Sequence, residues 1–176
     1  MSEMERTRQR EREKPTVNPY EAQMVLDREF AERQMTGRVL VKEGDCPQEL
    51  TRQGRLRFYL DPTIKDTPLQ HWVVFTHEVR TQSGKHRHQG GLVIYVIDGF
   101  GYSIVDGEKV EWEKGDLVLL PMKENGVEHQ HFNSSPDKPA VWMAFIHMPL
   151  REYVASEMTQ SEVSPEYRQQ EAKGGA

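Results

Sequence analysis

The sequence predicts an all-β domain, a sandwich or barrel, with a helix before it and a short helix after it. Three observations carry this. From about residue 38, short runs rich in β-branched and aromatic residues alternate with turn signals at regular spacing. One of those signals, Asp106-Gly107, is a strong two-residue hairpin turn. No repeat of solenoid length competes with this reading.

The elements follow in chain order. Residues 1–17 are polar and of mixed charge, and read as a disordered tail. Residues 18–37 read as an amphipathic helix. Asn18 can cap it, Pro19 suits its first position, Glu21 can complete a capping box and Gly37 can end it. Ala22, Leu26 and Phe30 form its apolar stripe, to be laid on a sheet or on a partner subunit. The barrel is assigned to 38–149. Its predicted strands are Arg38–Val41, Arg55–Leu60, Trp72–Val79, Leu92–Ile97, Tyr102–Val105, Lys109–Trp112, Leu117–Leu120, Glu128–Phe132 and Val141–Ile146. Residues 150–176 are read as a short helix and an exposed, mobile tail.

Bulk properties narrow the function. The chain has 176 residues, 23 basic and 28 acidic, for a net charge of -5, which argues against nucleic acid as a main partner. No apolar run approaches the ~20 residues of a membrane span, so no membrane partner is expected. The N-terminus lacks the apolar core of a secretory signal, and the one cysteine, Cys46, has no internal disulfide partner. A cytoplasmic home is the expectation.

The chemistry lies in the histidines. His86 and His88 stand two apart, and so do His129 and His131. In a strand, residues two apart share a face, so each pair projects together. Imidazole is the commonest neutral metal ligand. Two inward pairs could meet around one ion. Periodicity alone leaves this open against two surface doublets.

The spacing around these pairs resembles the cupin superfamily. Gly84, His86, His88 and Gly99 match its first motif. Gly115, Pro121, Gly126, His129 and Asn133 match its second, with three residues inserted between Pro121 and Gly126. The resemblance implies a cupin fold, that is, a double-stranded β-helix or jelly-roll barrel. It implies His86, His88 and His129 as metal ligands. The motif's glutamate falls on Leu92, which cannot bind a metal, so a three-histidine set is implied. Among cupins, the H-R-H-Q start and the H-x-H-x-N ending resemble gentisate-type dioxygenases.

That likeness implies a non-haem Fe(II) dioxygenase acting with dioxygen on a small hydroxylated aromatic or an enolisable diketone. Zn, Mn, Ni and Cu are the alternative metals, since imidazole suits several ions. His131 is implied as an acid/base group with a pKa near neutrality. Gln89 is a candidate hydrogen-bond partner of the substrate, and Arg57 and Arg80 are candidates for its carboxylate. Phe75, Tyr95, Trp142 and Phe145 are candidate pocket walls. Glu124 and Glu128 are the carboxylates that could replace the missing one, with Glu128 expected to point away. His71, His77 and His147 have no assigned role, although His77 could reach the pocket. The alternatives are a metal-dependent isomerase or lyase and a non-catalytic small-molecule-binding cupin. A homodimer is expected.

Overall fold

The computed structural model describes residues 18–174; the polar tail expected over 1–17 lies outside them. Two units divide the described chain, and the first holds helix α1, Pro19–Thr36. Asn18 caps it, its Oδ1 accepting the Tyr20 N–H at 2.9 Å. The Gly37 N–H closes the last turn on the Arg33 carbonyl at 2.9 Å. No residue of α1 is buried, and Leu26 and Phe30 are exposed. The expected Arg38–Val41 strand does not form. Instead Arg38 engages Asp66, backbone to backbone at 2.8 Å and side chain to side chain at 3.0 Å.

The second unit is the β domain. Its strands are β1 (Gln48–Thr51), β2 (Gly54–Leu60), β3 (Trp72–Val79), β4 (Lys85–His88), β5 (Leu92–Asp98) and β6 (Phe100–Val105). They continue as β7 (Glu108–Glu113), β8 (Leu117–Leu120), β9 (Val127–Asn133) and β10 (Ala140–His147). Helix α2 (Met148–Tyr153), strand β11 (Thr159–Glu162) and helix α3 (Pro165–Gly174) complete the chain. The C-terminal segment read as a mobile tail is therefore largely structured. Its strand is polar and has only four residues, so hydrophobic alternation does not mark it.

Two antiparallel sheets form, ordered β1-β2-β3-β10-β5-β8 and β11-β4-β9-β6-β7. Alternation turns every second side chain inward. Leu92, Ile94 and Val96 of β5 meet Ala140, Trp142 and Ala144 of β10 in one apolar core with Leu56, Phe75 and Trp112. Asp106 (φ 49) and Gly107 (φ 88) make the hairpin between β6 and β7, with Val105 facing Glu108. Both residues need positive φ, and this dipeptide tolerates it. Among the described residues, no helix is long and apolar enough to cross a membrane.

Candidate metal centre

Strands β4 and β9 pair so that His86 lies directly opposite His129 and Arg87 opposite Glu128. Alternation then sorts the side chains. His86, His88, His129 and His131 turn inward. Outside, Glu128 pairs with Lys85 at 3.1 Å and Arg87 at 3.8 Å. The rings of His86 and His129 stand 4.1 Å apart, and those of His88 and His129 4.8 Å. His86, His88 and His129 each offer a nitrogen, and these atoms all lie within 4.8 Å of one another. No carboxylate among the described residues joins them. Glu124 is exposed in its loop. Leu92 is 5% exposed and lines the same cavity as His86 and His88, so hydrocarbon stands where the motif has a carboxylate.

The donor chemistry fits a cation. Burial, then the neighbouring histidines, pushes the pKa of His86 down to about 4 and holds that of His129 well below its usual value. Burial, then the Arg151 charge, lowers that of His88. At neutral pH these rings are uncharged, which is the form that binds a metal. His129 is already oriented: its Nδ1 lies 3.2 Å from the Val127 carbonyl, and its buried Nε2 has no partner among the described residues. An Nδ1–H donated to that carbonyl leaves a lone pair on Nε2, the usual arrangement of a ligating histidine. His88 is oriented differently. Its Nδ1 accepts the Gly90 N–H at 3.0 Å, so the neutral ring carries its proton on Nε2. Binding an ion at His88 Nε2 requires that proton to leave or the ring to turn over.

His131 lies one step deeper. Its ring centroid is 5.4 Å from that of His129 and 4.8 Å from that of Trp142. Its Nδ1 is 2.7 Å from Ser103 Oγ, which also accepts the Trp112 Nε1–H at 2.9 Å. The Ser103 hydroxyl proton is free to point at Nδ1, and the His131 Nε2 is buried with no partner among the described residues. Burial, followed by His77, holds the His131 pKa well below 6.5, contrary to the expectation of a near-neutral group. His77 also reaches the interior. Its ring centroid is 4.7 Å from that of Trp142, and burial, then His86, pushes its pKa down to about 3. Gly54 (φ 137) is the close approach that makes room for it, because a Cβ there would fall on His77 Nε2.

A cavity of about 190 Å³ opens beside His86 and His88. Its walls are mainly apolar and include Leu56, Phe58, Phe75, Leu92, Ile146 and Met158. Phase of alternation decides which predicted residues reach it. Phase favours Phe75, which lines the cavity, and Trp142, which is buried against His77 and His131. The other candidates point elsewhere. Tyr95 is 43% exposed on the outer face of β5, and Phe145 alternates outward on β10. Arg57 donates to the Glu43 and Cys46 carbonyls, and Arg80 pairs with Glu78 at 2.9 Å and Glu166 at 3.6 Å. Gln89 Oε1 accepts the Glu157 N–H at 2.8 Å and so holds the C-terminal segment. The cation that does line the cavity is Arg151, on α2. It lies beyond both motifs and on no strand, so neither spacing nor alternation marks it.

Residues 73–146 match the family Cupin_2, the cupin domain. A gentisate 1,2-dioxygenase from Ralstonia sp. is 37% identical over 70 residues, which is 39% of this chain and 19% of that protein. The chain thus matches about a fifth of that curated relative's length. A salicylate 1,2-dioxygenase structure from Pseudoaminobacter salicylatoxidans aligns with TM-score 0.51 at 18% identity, over 78% of this chain and 36% of that one. A polyketide cyclase from Streptomyces resistomycificus aligns with TM-score 0.53 at 16% identity, over 73% of this chain and 88% of that one. The likeness of fold therefore crosses activities, while the likeness of sequence is to dioxygenases. The β domain has the cupin fold, residues 73–146 carry the cupin-domain signature, and within the superfamily the chain resembles the gentisate dioxygenase type.

Proposed function

We propose that the protein is a non-haem iron(II) dioxygenase acting on a small hydroxylated aromatic or enolisable diketone-type compound. The observation that carries the reading is the uncharged cluster of His86, His88 and His129, with His86 and His129 buried, His86 and His88 lining an apolar cavity, and Leu92 in place of a fourth ligand. Iron(II) held there would supply Lewis acidity and dioxygen chemistry, with positions left open for other ligands.

The chain's own residues do the rest. His86 and His129, paired across β4 and β9, fix the ligand geometry. The apolar wall keeps water from the site, which strengthens electrostatic interactions inside it. His131 is held through Ser103 and Trp112, and its buried Nε2, without a partner among the described residues, would donate to a bound group if Ser103 donates to Nδ1. A ring whose pKa is held this low is a weak proton acceptor, so we assign His131 to orienting a bound group. A homodimer in the cytoplasm belongs to the same reading, supported by the exposed apolar residues of α1 and the single cysteine.

The test is metal content and oxygen uptake. Apo-protein reloaded with iron(II) without oxygen is mixed with hydroxybenzoates and β-diketones in air-saturated buffer. Iron-dependent uptake is expected with one compound, and its loss in His86→Ala and His129→Ala together with stoichiometric metal. Stoichiometric metal without uptake on any compound would move the reading to a metal-dependent isomerase or lyase. Absence of metal would leave a binding cupin.

A further inference from the structure

The cavity beside the uncharged histidines has one charged residue in its wall, and it is a cation. Arg151 lines it, and no Asp or Glu does. Among the described residues the Arg151 side chain forms no ion pair. Its side chain stands in the same cavity wall as His86 and His88. Arg57 and Arg80, by contrast, are committed to partners of their own.

The segment that supplies this wall lies past the cupin-domain match. Arg151, Ser156 and Met158 all line the cavity, and all follow residue 146. The segment is anchored on the metal-binding strand itself. Gln89 N–H reaches Ser156 Oγ at 3.4 Å, Gln89 Oε1 holds the Glu157 N–H, and β11 pairs with β4, Gln160 against His86. This segment thus flanks one edge of β4, and β9 with His129 flanks the other.

We propose that Arg151 determines substrate class, taking the carboxylate of a small apolar-bodied acid whose other end meets the histidines. This rests on the reading of the cavity as the substrate site. A single guanidinium balances one negative charge and pairs with a carboxylate through two parallel hydrogen bonds. A phosphate, with nearly two charges at neutral pH, would be less well balanced by it. The apolar walls take an uncharged ring or chain. Neutral diketones of the same size offer Arg151 carbonyl acceptors but no charge to balance.

The test is binding to protein loaded with redox-inert zinc(II), so that no oxygen chemistry is involved. Isothermal titration compares 4-hydroxybenzoate, whose hydroxyl lies opposite its carboxylate, with 4-hydroxybenzamide, which has nearly the same shape without the charge. The wild type is expected to prefer the acid at least tenfold. Arg151→Met keeps an apolar stem, removes the charge, and should lose that preference by weakening acid binding alone. Arg151→Lys should retain part of it. Melting temperature and zinc content show that each variant is folded. An unchanged preference in Arg151→Met, no preference in the wild type, or no binding of the acid would each overturn the proposal. Failure of the dioxygenase reading looks different: acid preference would persist while iron-loaded protein takes up no oxygen. Oxygen uptake with a diketone that Arg151→Met leaves unchanged would sink the arginine assignment alone.

Discussion

Leu92 shows how much a single side chain decides at this site. It is buried, belongs to the apolar core and shares a cavity with two candidate ligands. A carboxylate in its place would sit buried among apolar side chains and uncharged imidazoles in the metal-free protein. Burial commonly raises such a pKa by about three units, and at 1.36 kcal/mol per unit the cost is about 4 kcal/mol near neutral pH. Leu92→Glu is therefore expected to lower the stability of the metal-free protein sharply, and zinc(II) or nickel(II) should then raise its melting temperature more than it raises that of the wild type. An equal metal-induced shift in both would mean that residue 92 does not face the ion. The departure at Leu92 was legible because the motif has a fixed spacing. The four inward histidines were legible because a strand alternates. Arg151 was not, because it reaches the cavity from a short helix joined to no motif.

Among elements, β4 has the largest consequence for its length. It is only four residues long, yet it carries His86 and His88 and is paired on both sides, with β9 and with β11. An edge strand so short would fray, and a ligand pair on it would lose its fixed geometry. Strand β11 removes that edge. Replacing Thr159–Glu162 by Gly-Ser-Gly-Ser keeps the chain length and the 3.2 Å ion pair of Arg55 on β2 with Glu166 on α3, but weakens the strand. With hydrogen bonds worth about 1 kcal/mol net each, about 2 kcal/mol of stability should go. Amide hydrogen exchange in β4 should speed up, and metal affinity should fall roughly tenfold, the equivalent of about 1.4 kcal/mol of that loss. Unchanged exchange at His86 and His88 would mean that β9 alone holds the strand. The sequence hid β11 because QSE and its neighbours have no alternation to read, and hid β1 for the same reason. It misplaced a strand at Arg38–Val41, where apolar residues stand without a sheet neighbour and Arg38 is bound to Asp66 instead.

Across the whole molecule, strands β2, β3 and β5 to β10 follow from alternation and turn chemistry, because each buries one face in a shared core. What the sequence does not display is the electrostatic state of that core, since it depends on which histidines end up side by side. His77, His86, His129 and His131 are buried together, and burial lowers the pKa of each. The consequence for stability has a definite sign. These groups titrate near 6.5 in the unfolded chain and far lower when folded, so between those values the unfolded chain binds more protons. Stability contributed by neutral burial is full above about pH 6.5 and is lost as pH falls toward the folded values. For His77, at about 3, and His86, at about 4, a drop to pH 5 spans roughly 1.5 units of the unfolded titration. That costs about 2 kcal/mol for each. Urea unfolding of the metal-free protein should therefore show stability falling by about 4 kcal/mol or more between pH 7 and pH 5. His77 is outside the ligand set, so His77→Gln should flatten the curve by about one histidine's share without removing the metal site. Stability that stays level over this range would mean that the interior histidines keep access to water in the folded protein, and the cavity would then be wet rather than a dry seat for an apolar ligand.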